Sequence, residues 1–278
     1  MAQETYVAGA GATARAAAGE HATRFFGPLW ERFRLGEGLL LAVNAAVIGF
    51  GAHGALDALW RMVVSIGVLA AAYSFNDYQD ARADRANPKK NQQLVGLLLE
   101  RRTAFGRLLL AAHLLLVAIA WIALDPTTAA AAAAMLAVNL LYSVRAKGTP
   151  FADVVVVVLW GALFTAIAGA SLGVCALVGA LTLLMHIFQM HVDLDVDAGN
   201  AVRTTAVALR RPTALVAAAC VAVGSVLFAL LGPFWAASAA FPLLAQAAAS
   251  RTETAWMLSR AYAGVVLLAV LGALPGAS

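Results

Sequence analysis

The sequence predicts an all-α, polytopic membrane protein with nine transmembrane helices, and three observations lead to this fold class. Hydrophobic residues make up 62% of the 278 residues and charged residues only 12%, with a mean hydropathy of +0.82. Soluble domains are about half apolar and about a quarter charged, so a disordered chain, a disulfide scaffold and a nucleic-acid-binding protein are excluded. Apolar stretches of roughly 20 residues, the length that crosses a bilayer, recur along the chain. The basic residues collect in alternate connections between these stretches.

Turns that carry Gly, Pro, Asp or Ser separate nine apolar stretches of membrane-spanning length. We predict the spans at 38–56, 59–77, 105–124, 127–144, 151–171, 173–193, 212–231, 233–249 and 256–275. The boundary between the seventh and eighth spans rests on Gly232 and Pro233 alone. Because the first stretch is long enough to span, we interpret it as an uncleaved helix rather than a signal peptide. The predicted organisation is a cytoplasmic N-terminal tail at 1–35 and a single membrane domain at 36–278.

The distribution of basic residues predicts the orientation in the membrane. If the N-terminus is inside, 18 of the 19 Lys and Arg residues lie on the cytoplasmic side, and only Arg61 lies outside. Cytoplasmic connections are enriched in basic residues in this way. The two long connections, at about 78–104 and 194–211, then face the cytoplasm. Long connections in compact proteins tend to be functional, so we expect the functional site on that side.

Two acidic clusters lie at the predicted cytoplasmic ends of the second and sixth spans. Each places polar residues at i, i+4 and i+8, so that they share one helix face. These residues are Asn76, Asp80 and Asp84 in the first cluster, with Asp77 beside them, and Gln189, Asp193 and Asp197 in the second. Like charges at this spacing repel, and carboxylates at a helix C-terminus oppose the helix dipole. The clusters therefore require a compensating cation.

Mg²⁺ is the natural candidate for this cation, because it prefers oxygen ligands and is usually held by a few carboxylates together with substrate phosphates. Two acidic helix ends could hold one diphosphate through bridging Mg²⁺ ions. Basic side chains near the clusters could contact the remaining phosphate oxygens: Arg82, Lys89, Lys90, Lys147 and Arg203. A cation transporter would also use intramembrane carboxylates, but such sites tend to lie near the bilayer midplane, whereas these clusters lie at helix ends.

These motifs resemble the UbiA superfamily of intramembrane prenyltransferases. The residues that carry the resemblance are Asn76-Asp77-x-x-Asp80-x-x-x-Asp84 followed by Asn87-Pro88-Lys89, then Leu141-Tyr142-Ser143 ahead of Lys147, and Asp193-x-x-x-Asp197 followed by Arg203-Thr204-Thr205. The resemblance implies a UbiA-like bundle of nine transmembrane helices. It also implies an enzyme in which Mg²⁺ ions bind an isoprenyl diphosphate and stabilise the leaving diphosphate as an allylic cation forms.

The resemblance assigns expected roles by position. The expected metal-binding residues are Asn76, Asp77, Asp80, Asp84, Asp193 and Asp197. Asp80, Asp193 and Lys147 are expected to be catalytic, and Lys147 to contact the diphosphate together with Arg82, Lys89, Lys90 and Arg203. A pocket for the prenyl chain should be apolar and rich in aromatic faces, which also stabilise a carbocation. Our candidates for it are Phe75, Tyr78, Tyr142, Phe188 and Gln189, and further aromatic candidates are Tyr73, Phe151, Trp160 and Phe164.

The resemblance leaves two reactions open. In most family members an aromatic or other lipophilic acceptor attacks the cation, and we take this prenyl transfer as the first interpretation. In a minority, double bonds of the same chain capture the cation, and the enzyme is a terpene cyclase. The first connection reads Asn87-Pro88-Lys89-Lys90 and lacks the Arg-Pro pair that follows in many members. This departure raises the weight of the cyclase alternative. The expected partners are the isoprenyl diphosphate, the bilayer and an acceptor if there is one, but no nucleic acid.

Overall fold

A computed structural model describes residues 54–86, 90–199, 203–248 and 252–273, and all regular structure within these ranges is helical. The α-helices are α1 Ala55–Asp84, α2 Gln92–Glu100, α3 Arg102–Ala123, α4 Pro126–Leu141, α5 Ala152–Ile167, α6 Leu172–Val192, α7 Leu194–Gly199, α8 Thr205–Leu209, α9 Pro212–Leu231, α10 Pro233–Ser238, α11 Phe241–Ala248 and α12 Thr252–Ala273. A π-helical turn, Tyr142–Ala146, follows α4. The predicted tail at 1–35, nearly all of the predicted span at 38–56, and Asn87, Pro88 and Lys89 lie outside the described residues.

Six helices of the described chain are long and apolar enough to cross a membrane. They are α1, α3, α4 with its π-helical turn, α6, α9 and α12, which correspond to the second, third, fourth, sixth, seventh and ninth predicted spans. Large apolar side chains such as Trp121 and Ile122 of α3 are exposed, and a bilayer would cover such surface. These helices confirm an integral, multi-pass membrane protein.

The prediction of nine spans is not confirmed by the described residues. The predicted eighth span, 233–249, is two short helices, α10 and α11. The reason is Pro242, whose ring nitrogen cannot donate to the Ser238 carbonyl. It lies in the first turn of α11, where a missing N–H costs no helical hydrogen bond. The predicted fifth span, 151–171, is the 16-residue α5, which ends before a turn at Gly169 with φ of 89°. The two predicted long connections contain helices of their own, α2 in the first and α7 and α8 in the second.

Helices α5 and α6 form the seam between two halves of the core. One half packs α6 with α9 and α12, and the other packs α1, α3, α4 and α5. A Cβ atom on Gly161 of α5 would lie 2.8 Å from the Val178 carbonyl oxygen, and one on Gly179 of α6 would lie 2.9 Å from the Val158 carbonyl oxygen. These two glycines therefore allow the backbones to touch, as small residues do between membrane helices. The close seam brings the start of α5 beside the end of α6.

Helices α1 and α4 run parallel, with polar contacts between them at a constant sequence separation of 67 residues. We call this set of contacts the polar ladder. Arg61 Nη1 donates to Thr128 Oγ1 at 2.7 Å, and Asn139 Nδ2 donates to the Ala72 carbonyl oxygen at 3.1 Å. The remaining pairs are Asn76 with Ser143 and Asp80 with Lys147. Because polar contacts in an apolar bundle resist slippage, the ladder aligns the first acidic motif with the π-helical turn.

The far end of the ladder is an ionic cluster around the buried side chain of Arg61, the one basic residue that the predicted orientation leaves outside. The Arg61 side chain is only 5% exposed and forms salt bridges with Asp57 and, at 3.0 Å, with Asp125. It also donates to the Ile167 carbonyl oxygen at 3.1 Å. Burial raises the pKa of Asp125, but hydrogen bonds from Thr128 and Arg61 outweigh it and hold the pKa below its usual value. Two carboxylates thus neutralise this arginine at the end of the bundle opposite the motifs.

We predict that Arg61→Met destabilises the folded protein by about 1–3 kcal/mol, because its buried hydrogen-bond acceptors lose their donor and the partly exposed Asp57 and Asp125 lose their cation. The measurement is the unfolding midpoint of the detergent-solubilised protein at neutral pH. Arg107→Met, at an exposed arginine of α3, is the control and should leave the midpoint nearly unchanged, as surface substitutions usually do. Equal midpoints for the two variants would contradict the structural role of the cluster.

Candidate functional site

The first acidic motif lies on the last turns of α1. This helix has 30 residues, a length of about 45 Å, whereas the hydrocarbon core of a bilayer is about 30 Å thick. It stays helical through Asp84, so Asn76, Asp80 and Asp84 do follow one another at single-turn intervals, and all three are partly exposed. Asp77, beside them, is also partly exposed. The extra length projects the motif beyond the apolar part of the helix.

Polar groups from other parts of the chain meet each residue of this face. Ser143 Oγ donates to Asn76 Oδ1, Lys147 Nζ donates to Asp80 Oδ2, and Lys90 Nζ lies 3.2 Å from Asp84 Oδ2. The two lysines partly offset the like-charge repulsion that the spacing implies. Their side chains are 48% and 37% exposed, so both ammonium groups are within reach of a ligand that enters from outside the bundle.

Tyr142 opens the π-helical turn and lies near both acidic motifs. Within the turn the Lys147 amide donates to the Tyr142 carbonyl oxygen at 2.9 Å, five residues back, and such turns occur frequently at functional sites. Tyr142 lies within electrostatic range of Asp80 of the first motif and of Asp153 and Asp197. Carboxylates of both acidic motifs, which belong to distant parts of the sequence, are therefore near the same phenol.

The second acidic motif bends where the first is straight. Helix α6 ends at Val192, and Asp193 is its C-cap with φ of −90° and ψ of −3°. The Asp197 amide donates to the Asp193 carbonyl oxygen at 2.8 Å, so the two carboxylates remain one turn apart across the bend. Burial, then the charge of Asp193, raise the pKa of Asp197 above its usual value, although the Thr204 hydrogen bond opposes them. A bound cation would relieve this repulsion.

The other predicted polar residues are more exposed. Arg82 of α1, Arg203 before α8 and Gln189 of α6 are all exposed, and Lys89 lies outside the described residues. For the arginines, exposure leaves the guanidinium groups free to reach an anion. The Gln189 side chain is exposed, whereas that of its neighbour Phe188 is buried in the core between the helices.

Three of the predicted pocket aromatics pack away from the acidic face. Phe75 contacts His113 and Tyr78 stacks on Phe105, both with ring centroids 6.3 Å apart, so these side chains face α3. The Arg102 guanidinium covers the Tyr78 ring at 4.2 Å. Phe188 is fully buried in the core formed by α6, α9 and α12. These side chains occupy contacts between helices in the described structure.

Three further aromatic candidates form a cluster on the side of α1 that carries the motif. Tyr73, one turn before Asn76, meets Trp160 of α5 with ring centroids 6.0 Å apart, and Trp160 meets Phe164 at 5.7 Å. The indole Nε1 of Trp160 is buried and has no hydrogen-bond partner among the residues that the structure describes. These three residues form an apolar, aromatic wall deeper in the bundle than the carboxylates.

The site also contains a residue that sequence reasoning missed. Asp153, near the start of α5, is 4% exposed, and its carboxylate accepts hydrogen bonds from Thr205 at the start of α8. It stands alone before a run of valines, outside both acidic motifs. The available signal was a charged residue at the edge of an apolar span, which is a functional-site candidate by default.

The side-chain oxygen atoms of the site suit Mg²⁺, which water and substrate also help to coordinate, better than a metal ion that protein ligands alone must hold. Among the described residues, no three His, Cys, Asp or Glu side chains form a group that could hold a metal ion. Mg²⁺ does not require such a group, since it is usually bound by one or two carboxylates, water and substrate phosphates. The oxygen atoms of Asn76, Asp80, Asp193 and Asp197 match that preference.

The fold and the site together define a multi-pass helical membrane protein with an acidic, lysine-flanked site at one end of its bundle. The chain belongs to the UbiA prenyltransferase family, whose sequence model matches residues 39–264. This match confirms the resemblance predicted from the motifs. No curated protein sequence matches the chain.

Solved structures show the same fold at low sequence identity. A structure described for digeranylgeranylglyceryl phosphate synthase in membranes superposes with a TM-score of 0.67 at 14% identity, covering 91% of this chain and 98% of that one. A UbiA homologue from Archaeoglobus fulgidus bound to DMAPP and Mg²⁺ gives a TM-score of 0.61 at 17% identity, covering 84% and 95%. The same homologue bound to GPP and Mg²⁺ gives 0.59 at 16% identity, covering 84% and 94%.

Proposed function

We propose that the protein is a Mg²⁺-dependent intramembrane prenyltransferase that ionises an isoprenyl diphosphate and transfers the prenyl group to an aromatic or other lipophilic acceptor. The observation that carries the proposal is that carboxylates of both acidic motifs, Asp80 and Asp197, lie within electrostatic range of one residue, Tyr142. It is supported by membership of the UbiA prenyltransferase family and by the homologue structures that contain DMAPP or GPP with Mg²⁺. The positions of the basic residues favour a site that opens to the cytoplasm.

The two motifs would share the metal ions. The proposed ligands are Asn76, Asp77, Asp80 and Asp84 from α1, and Asp193 and Asp197 from the second motif. When bound, Mg²⁺ supplies a Lewis acid that stabilises negative charge on the departing diphosphate. The carboxylates hold charge at defined positions before the substrate arrives, so little reorganisation is needed during the reaction.

The basic side chains would bind the diphosphate oxygens that the metal leaves free. Lys147 and Lys90 already lie at the carboxylates, and each needs only a rotation of its exposed side chain to turn from carboxylate to phosphate. Arg82, Lys89 and Arg203 are the further candidates, with Arg favoured for bidentate contact. Charge-assisted hydrogen bonds of this kind are roughly twice as strong as neutral ones.

The prenyl chain would extend from the carboxylates into the bundle along α1 and α5. The first aromatic side chain on this path is Tyr142, followed by the wall of Tyr73, Trp160 and Phe164. Aromatic faces stabilise a nearby cation, and an apolar wall keeps water from capturing it. Phe75 and Tyr78 pack against α3, and Phe188 packs in the core of α6, α9 and α12, so these side chains stabilise contacts between helices.

The cyclase remains the alternative, favoured by the missing Arg-Pro in the first connection. Family membership disfavours the cation transporter. The deciding experiment incubates purified protein with Mg²⁺ and geranyl, farnesyl or geranylgeranyl diphosphate, first without and then with an aromatic acceptor. We expect diphosphate release to depend on Mg²⁺ and on the acceptor. Cyclic hydrocarbons or terpene alcohols formed without an acceptor would support the cyclase instead, and no release from any of the three substrates would contradict both enzymes.

A further inference from the structure

The buried carboxylate of Asp153 closes a small hydrogen-bonded ring between two distant segments. Its Oδ2 accepts from the Thr205 amide at 2.9 Å, and its Oδ1 accepts from the Thr205 hydroxyl. Oδ1 also accepts from the amide of Val154 at 2.9 Å. Asp153 is 4% exposed and Thr205 is fully buried. A buried charge is costly unless hydrogen bonds compensate it, so both carboxylate oxygens require these donors.

Thr205 completes the ring through a second contact to the start of α5. Its hydroxyl oxygen accepts from the Phe151 amide at 2.7 Å. Phe151 has φ of 68°, a left-handed conformation that non-glycine residues rarely adopt. Such strain persists only where the surroundings hold it in place. The same hydroxyl therefore satisfies Asp153 and secures the turn that leads into α5.

The ring is connected to the second acidic motif through the neighbouring threonine. Thr204 caps α8, where its hydroxyl accepts from the Val207 amide at 3.4 Å. Helix α8 contacts α7, the helix that carries Asp197, and the Thr204 side chain lies close to the Asp197 carboxylate. With Thr205 held by Asp153, the adjoining Thr204 has a defined position from which to orient the Asp197 carboxylate. Arg203, the residue before Thr204, leads into the same segment.

We propose that Asp153 and Thr205 are positioning residues that orient Asp197 for the diphosphate and its Mg²⁺. They act through Thr204 and do not touch the substrate. This inference rests on the proposed function, since it specifies how the second motif of that site is held. Groups that orient metal-binding side chains commonly change metal affinity or activity by about 10–100-fold when they are replaced.

The test is Thr205→Val, which keeps the shape of the side chain but removes the hydroxyl. We expect the KM for the isoprenyl diphosphate and the Mg²⁺ concentration for half-maximal rate to rise about tenfold or more, with a smaller change in kcat. A second readout is binding without turnover. In the presence of Mg²⁺, inorganic pyrophosphate should raise the unfolding midpoint of the protein. The pyrophosphate concentration needed for a given rise should increase by the same factor in the variant, because a ligand stabilises the folded state according to its affinity.

Two variants control for folding and for a merely structural effect. Thr205→Ser keeps both hydrogen-bonding groups and should restore the wild-type KM. Thr165→Val removes another buried hydroxyl, which donates to the Gly161 carbonyl oxygen at 2.7 Å away from the motifs. It should leave KM unchanged even if it lowers the unfolding midpoint. Where Thr205→Val is not recovered folded, Asp153→Asn replaces one acceptor of the ring by a donor at equal volume and carries the same expectation.

The outcomes separate the positioning role from the proposed function. A lower unfolding midpoint for Thr205→Val with an unchanged KM and pyrophosphate response would overturn the positioning role and leave the enzyme assignment intact. The same holds if Thr165→Val raises KM as much as Thr205→Val does. If the wild-type protein neither turns over a prenyl diphosphate nor responds to pyrophosphate with Mg²⁺, the proposed function itself fails.

Discussion

Asp193→Ala is expected to abolish turnover, with a loss of at least about a hundredfold in kcat/KM, a size typical of removing one charge-stabilising group from an active site. The reason lies in the geometry of the second motif. Asp193 caps α6 at the bend and lies one turn from Asp197. Without its carboxylate, the second motif retains a single ligand on the proposed metal-binding face. The measurement is diphosphate release with saturating Mg²⁺.

The matched control is Asp195→Ala. Asp195 lies two residues along the same acidic window, on α7, and is exposed. Both variants remove one negative charge from the same end of the protein, so a general electrostatic effect on substrate capture would appear in both. We expect the control to keep activity within about threefold, as substitutions at exposed positions are usually mild. A similar loss in the two variants would refute the specific metal-binding role of Asp193, and near-normal activity of Asp193→Ala would refute it outright.

Asp80→Asn is expected to reduce turnover by a comparable factor, because it removes a carboxylate charge while keeping the side-chain volume. Its partner Lys147 can be replaced as well, which tests whether the two side chains act together. Since Lys147 donates to Asp80, we expect the two residues to act as one unit. Lys147→Met alone should lower activity by about 10-fold or more, and the double variant should be no worse than Asp80→Asn, because effects within one catalytic unit are not additive.

A double-mutant cycle on kcat/KM measures this coupling. The unfolding midpoints of all four proteins provide the control for folding. Because the Lys147 side chain is 48% exposed, we expect the pair to contribute little to stability, as exposed ion pairs usually do. Fully additive losses in activity would contradict the inference that Asp80 and Lys147 work at the same substrate, and near-normal activity of Asp80→Asn would refute its metal-binding role.

Much of the fold was predictable from local patterns. Apolar length alone located α9 at 212–231, the same bounds that the structure has. The i, i+4, i+8 spacing of Asn76, Asp80 and Asp84 correctly placed them along one helix, since a helix needs only local hydrogen bonds to set which side chains share a face. The predicted eighth span rested on apolar length alone. Pro242 interrupts the helix within that apolar stretch, so the span is two short helices.

The orientation of the aromatic residues could not be predicted from the sequence in the same way. Phe75 and Tyr78 flank the first motif along the chain, yet their contacts are with α3, whereas Tyr73 contacts Trp160. Proximity to a motif does not indicate which neighbouring helix covers each face. Asp153 was missed for a related reason: its partner Thr205 is 52 residues away, and no local pattern links them.

The sequence by itself determined that this is a multi-pass membrane protein, where most of its helices lie and which carboxylates share a helix face. These properties depend on composition and on neighbours within one turn. Only the tertiary structure decided that carboxylates of both motifs lie near Tyr142, that Lys147 pairs with Asp80 and that Asp153 holds Thr205. Those contacts depend on the register of α1 against α4 and on the approach of α5 to α6. Helix packing sets both, through glycines such as Gly161 and Gly179 and through the polar ladder.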